Sequence, residues 1–152
     1  MVLPGVSDMS KKISYNIERI GSISADILQY IEDLNGLDIH SKEDLSDKRN
    51  FYAVSMILFS LLNRVFDLGT EVNIAHNMGI PSTYREIFML LKKNGFISNN
   101  LSHDMIELVT YRNLLSHEYH GIDEEKLFIL TTKITTIQDF VDLMLKKVRN
   151  QE

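Results

Sequence analysis

The 152-residue chain has no cysteine and no tryptophan, and only 2 prolines and 7 glycines. Without cysteine there is no disulfide scaffold, no thiolate metal site and no cysteine nucleophile. So few backbone breakers disfavour a turn-rich β fold and favour long helices. No run approaches the roughly 18 uninterrupted apolar residues of a membrane span. Cationic side chains are also in deficit. Sixteen Lys and Arg against 21 Asp and Glu give a formal charge of −5, so bulk charge supplies no broad footprint for nucleic acid. The opening Met1-Val2-Leu3-Pro4-Gly5-Val6-Ser7-Asp8 lacks the basic start and long apolar region of a secretory signal. Met9-Ser10-Lys11-Lys12 looks like a second start, so residues 1–9 are expected to be an extension and residues 10–150 a single domain. A cytoplasmic setting is expected. What is present is ordinary globular material, 44% hydrophobic and 24% charged, enough for one core.

The apolar spacing predicts five helices. From Ser10 to about Asn35, Ile13, Ile17, Ile20, Ile27, Leu28 and Ile31 recur at helical intervals, and Asn35-Gly36 ends the run. A polar connector from Asp38 to about Asp44 leads to the longest helix. There Phe51, Val54, Leu58, Leu61, Val65, Leu68 and Val72 form a stripe that Tyr52, Phe59, Leu62 and Phe66 widen, as expected of a central helix packed on several sides. Asn77-Met78-Gly79 stops it. Ser82 is the expected N-cap of a third helix carrying Tyr84, Ile87, Phe88, Leu90 and Leu91 and closing at Asn94-Gly95. Phe96 to Ser102 reads as a loop, a fourth helix runs from about His103, and Gly121 interrupts it. A fifth opens at Asp123-Glu124-Glu125 and ends at Lys146-Lys147-Arg149, each charge at the favoured pole of the helix dipole. The expected fold is all-α, an antiparallel bundle of about five helices.

The chemistry concentrates in the fourth helix, Tyr111-Arg112-Asn113-Leu114-Leu115-Ser116-His117-Glu118-Tyr119-His120. At about 100° per residue, Arg112, Asn113, Ser116, His117, Tyr119 and His120 share less than half of the helix circumference. Met105, Ile106, Leu108 and Val109 project into nearly the same arc, so the polar cluster occupies the face that the earlier turns bury. Polar and charged groups on a core-facing stripe break the binary pattern, and such conflicts are expected at functional sites or interfaces. Histidine can give and take protons near neutrality. A guanidinium offers a rigid fork to phosphate oxygens. Together they suit phosphodiester cleavage, and with RNA the 2′-hydroxyl supplies the nucleophile. One chain has a single such pair, so a symmetric dimer with two is chemically attractive. From spacing alone a second reading stands beside this one, in which Arg112 and His117 cap carbonyls or pair with Glu118 or Asp123. Six acids against one arginine between Leu101 and Glu125 weigh against nucleic acid unless cations come from elsewhere, such as Lys92-Lys93, Lys146-Lys147-Arg149 or a second subunit. His117 and His120 lie three apart, but no third ligand is evident, so no metal and no cofactor is expected. His40, His76 and His103 sit in or beside connectors and read as surface residues.

The segment from Arg112 to Tyr119 resembles the R-x4-H-x-Y signature of the HEPN domain superfamily, specifically the HepT-like toxins encoded beside MntA-type minimal nucleotidyltransferase antitoxins. Val65-Phe66-Asp67-Leu68-Gly69 is similar to that family's central helix. Ile80-Pro81-Ser82-Thr83-Tyr84-Arg85-Glu86-Ile87-Phe88 and Tyr119-His120-Gly121-Ile122-Asp123 are similar to two further stretches of it, so the likeness spans roughly Phe51 to Leu145. Ser116 departs from the aliphatic residue expected before the histidine. The resemblance implies a helical bundle that dimerises through the motif face and cleaves RNA without metal. Arg112 and His117 would be catalytic, Asn113 would orient the site, and Tyr119 would accept AMP from the partner nucleotidyltransferase. Ser116 and Asp67 are expected as supporting residues, Asp67 as a charge partner of Arg112. The alternative is a non-catalytic helical module that binds the nucleotidyltransferase.

Overall fold

The computed structural model describes residues 13–116 and 121–150; residues 1–12, and with them the expected 1–9 extension, lie outside. Among the described residues there are six α-helices and no strand: α1 (Ile17–Gly36), α2 (Lys48–Ala75), α3 (Tyr84–Lys93), α4 (Asn99–Ser116), α5 (Glu124–Thr131) and α6 (Ile134–Arg149). A 3-10 turn at Lys42–Ser46 lies within the connector between α1 and α2.

Local chemistry sets each helix start. Asn16 Oδ1 accepts from the Arg19 amide at 3.0 Å, so α1 begins at Ile17, later than the apolar spacing suggests. Thr83, not Ser82, is the N-cap of α3: its Oγ1 accepts from the Glu86 amide at 3.1 Å, while the Ser82 hydroxyl donates to the Glu86 carboxylate at 2.6 Å. That bond holds the Glu86 carboxyl below the usual carboxylate range. Ser98 Oγ accepts from the Leu101 amide, and α4 therefore starts at Asn99 inside the stretch expected to be loop.

The expected fifth helix is two helices. At Thr131-Thr132-Lys133 the backbone tightens: the Lys133 amide donates to the Leu130 carbonyl at 3.0 Å, an i→i−3 bond. The Thr131 and Thr132 hydroxyls donate to the Phe128 and Ile129 carbonyls, taking acceptors a continuous helix would share. Two adjacent β-branched residues that bond back to the turn account for the break, and the bundle has six helices rather than five.

The 28-residue α2 is the axis. It contacts α1, α3, α4, α5, α6 and the 3-10 turn, and Val54, Leu58, Leu61, Leu62, Val65, Phe66, Leu68 and Val72 are buried along it. It is long and apolar enough to cross a membrane by length and composition, but eleven of its residues are buried against the rest of the bundle. Phe88 sits fully buried between the rings of Phe66 (5.6 Å) and Phe140 (5.4 Å), joining α3, α2 and α6. Gly69 lets α3 approach α2, since a Cβ there would lie 2.6 Å from Ile87 Cγ2. Outside the core, Arg64 bridges Asp26 of α1 (2.8 Å) and Asp67 of its own helix (3.1 Å), and Arg19 pairs with Glu71.

Candidate active site

The first turns of α4 bury Ser102, Met105 and Leu108 against the core. Val109 and Arg112 continue that face and are half-buried, so Arg112 stands where the core stripe reaches the surface. A guanidinium at such a point needs partners, because burying charge without them is costly.

Its described partners are all neutral. Arg112 Nε donates to Asn63 Oδ1 on α2 at 3.0 Å, and a second guanidinium nitrogen donates to Asn113 Oδ1 at 3.4 Å. The guanidinium carbon lies 4.8 Å from the centroid of Tyr84 at the start of α3 and 5.1 Å from that of Phe59 on α2. Tyr84 is in turn fixed by Phe66, 5.0 Å between ring centroids. Three helices thus orient one cation through two amide acceptors and two π faces. None of these groups cancels its charge, and among the described residues Arg112 forms no ion pair. Its net positive field is left for an anion.

The other expected site residues fall as follows. Asn113 is exposed beside Arg112 and touches it. Ser116 is exposed, and its hydroxyl donates to the Asn113 carbonyl at 2.8 Å, finishing the helix rather than facing the guanidinium. Asp67 is not the charge partner of Arg112: it lies on α2 four residues beyond Asn63 and is held by Arg64. Asp123 caps α5, accepting from the Lys126 amide at 2.8 Å, which leaves the proposed pairing of Asp123 with Arg112 without support. His117, Glu118, Tyr119 and His120 lie outside the described residues. The chain after them returns tightly onto α4. Gly121 is buried against the Leu114 carbonyl so closely that no Cβ fits between them.

Asn63, Phe59 and Tyr84 were not expected at the site. The one signal was available: Asn63 interrupts an apolar stretch, Leu61-Leu62 before it and Val65-Phe66 after it, and a polar residue inside a core helix asks for a partner. His76, read as a surface residue, is half-buried instead: it bonds the Tyr15 hydroxyl and meets Phe96 edge-on at 4.7 Å. Burial, then the nearby Lys147 charge, push its pKa down; burial pushes the Tyr15 hydroxyl up to about 12.

The fold and site together define a helical domain presenting, at the mouth of its core, an arginine that pairs with no carboxylate among the described residues. The chain belongs to the family described as Ribonuclease HepT-like, whose profile matches residues 12–144. It is 25% identical over 79 residues to a protein named mRNA nuclease HepT from Shewanella oneidensis, a match covering 51% of this chain and 59% of that relative's length. In fold it is similar to a tri-AMPylated Shewanella oneidensis HEPN toxin solved in complex with an MNT antitoxin, with a TM-score of 0.76 at 21% identity over 84% of this chain and 97% of the other. It is equally similar to YutE of Bacillus subtilis, described as a cytosolic protein of unknown function, with a TM-score of 0.76 at 18% identity over 91% of this chain and 94% of that one.

Proposed function

We propose that the chain is the endoribonuclease toxin of a toxin–antitoxin pair, acting in the cytoplasm as a dimer and without metal, and silenced when a partner nucleotidyltransferase adds AMP to Tyr119. Membership of the HepT-like family and the mRNA nuclease name of the Shewanella relative support the activity. The carrying observation is the guanidinium of Arg112, oriented by Asn63, Tyr84 and Phe59 and opposed by no described carboxylate.

In this reading the substrate's 2′-hydroxyl attacks the adjacent phosphorus. One His117 takes the proton from that oxygen, and the P–O5′ bond breaks as the leaving oxygen gains a proton from the His117 of the second chain. The products are a 2′,3′-cyclic phosphate and a free 5′-hydroxyl. Arg112 bears the charge that grows on the phosphate oxygens. For the dimer, Tyr52 and Met56 are exposed by 67% and 73% on α2 and continue through Phe59 to Asn63 at alternating spacings of four and three, an apolar stripe that ends at the site. AMP on Tyr119 would place a bulky anion beside Arg112 and compete for its fork. The formal charge of −5 and the acids around the motif favour a second reading, a non-catalytic module that binds the nucleotidyltransferase.

RNA cleavage by the purified chain in chelator tests the proposal against His117→Ala and Arg112→Ala. Both variants should lose at least a hundredfold in rate. Equal activity in all three overturns the catalytic assignment, and inactivity of all three favours the binding module. Incubation with the partner and ATP should add whole AMP units to the intact mass, and Tyr119→Phe should abolish the gain. A monomeric mass at micromolar concentration removes the shared cleft.

A further inference from the structure

An open groove of about 490 Å³ lies between α2, α3 and α4, with Asn113 and Tyr84 among its lining residues. Of its lining residues Ile87 is buried and Thr70 and Val109 are half-buried, while Tyr84, Arg85 and Asn113 are exposed; residues 81–83 complete it. Among the described lining residues none is acidic, and Arg85 is the one charged group. Three smaller cavities each carry a carboxylate: Glu18, Asp38 and Asp104 respectively. In a chain of net charge −5, a groove whose described lining holds a cation and no acid favours anionic or neutral polar ligands. Glu86, the acid nearest in sequence, takes the hydroxyl and amide of Ser82 and does not line the groove. Asn113 is shared with the Arg112 site, which makes the groove continuous with it.

We infer that this groove receives the base of one nucleotide adjoining the phosphate held at Arg112, with Arg85 meeting a neighbouring phosphate. The inference rests on the ribonuclease reading and adds where the strand runs and what senses its sequence. An apolar inner surface beside an aromatic ring, edged by an amide and hydroxyls, is the environment that takes an unstacked base from single-stranded RNA. The volume falls within the ordinary range for small-molecule sites. Tyr84 belongs to both halves, orienting Arg112 and walling the groove, which ties base placement to phosphate placement.

The test uses the full chain and a short single-stranded RNA whose cleaved bond has been mapped, with one base at a time replaced by an abasic ribose. At one flanking position the abasic substitution should raise KM about tenfold in the unaltered protein and leave kcat within about twofold. Val109→Phe, which fills the groove, should raise KM for intact RNA by a similar factor and then be indifferent to the abasic substitution. Arg85→Gln, at an exposed position, should raise KM and reduce the slope of log binding against log salt by about one. Where Val109→Phe fails to fold, the abasic scan and Arg85→Gln decide. Indifference to every abasic position, or equal sensitivity in Val109→Phe, overturns the groove while leaving the nuclease intact. A protein that neither binds nor cuts any RNA overturns both.

Discussion

The tightest link in the site is the bond from Arg112 Nε to Asn63 Oδ1, and Asn63→Ala removes it with little else. A hydrogen bond to a charged group contributes about 1.5–3 kcal/mol; because the guanidinium is half-buried and water can take the vacated place, the lower figure applies. At about 1.4 kcal/mol per tenfold, kcat/KM for RNA should fall roughly tenfold. Folding should not suffer, since Ala is the better helix former by about 0.5 kcal/mol in the interior of α2. Single-turnover cleavage of a labelled RNA reads the rate, and thermal unfolding reads the stability. Combining the change with Arg112→Ala isolates the coupling: if Asn63 acts through Arg112, it has no further effect once the guanidinium is gone. A full tenfold loss that persists in the Arg112→Ala background, or a loss under twofold in the single variant, refutes the reasoning. Asn63→Asp adds a check of sign. It keeps the acceptor but supplies the charge the site lacks, so it should hold Arg112 at least as well and yet cleave more slowly than Asn63→Ala.

Three further outcomes follow from the packing and the titrating groups. Gly121→Ala should depress cleavage strongly with a smaller effect on stability, because a Cβ there meets the Leu114 carbonyl and forces Gly121 away from α4; unchanged activity would show that this close approach does not bear on the site. Gly69→Ala should lower the melting temperature by several degrees: overpacking against the buried Ile87 costs about 1–3 kcal/mol, against about 1 kcal/mol gained in helix propensity. His76 has a folded-state pKa depressed below 6.5, so the unfolded chain takes up its proton first on acidification; stability is present in full above about 6.5 and falls as pH drops toward the depressed value. Denaturant midpoints at pH 7.5 and 5 should therefore differ less in His76→Gln than in the unaltered protein. Tyr15 acts at the other end, its contribution present below about 10 and lost as pH rises through about 12.

Much of the architecture is legible in the apolar spacing because one helix dominates. The stripe from Phe51 to Val72, widened by Phe59, Leu62 and Phe66, predicts a central helix, and α2 touches every other element. Periodicity carries less at the ends. Asn16, Thr83 and Ser98 start helices through single side-chain bonds, and Thr131-Thr132 break one while Leu127, Leu130, Ile137 and Val141 keep a helical rhythm across the break. On the candidate site, the helical wheel was informative because Arg112 continues the face of Met105 and Leu108. It could not supply the partners. Asn63 is 49 residues away in sequence, and Tyr84 is brought to Arg112 by the packing of α3 on α2, where its ring meets Phe66. The expectation for Asp67 failed for the same reason: an acid on the central helix has several cations to choose from, and Arg64 is three residues away on the same helix.

The sharpest objection to an RNA substrate is the charge, and it is met by distribution rather than by total. The arginines of the α1–α2 face are already engaged, Arg19 by Glu71 and Arg64 by Asp26 and Asp67, so that surface offers an anion little. Arg112 and Arg85 differ: aromatic and amide groups surround the first, and the second lines a groove with no acid among its described residues. Acids spread over the remaining surface repel a polyanion at long range, within a Debye length of about 8 Å at physiological salt, while a local site in contact with the phosphate is screened far less. The affinity for RNA should then be modest and its salt dependence shallow, with a log–log slope set by two or so arginines per chain rather than by a broad patch. A slope near zero would place Arg112 and Arg85 off the nucleic acid. A steep one would bring in further cations, such as Lys92-Lys93 at the end of α3 or Lys146-Lys147-Arg149 at the end of α6.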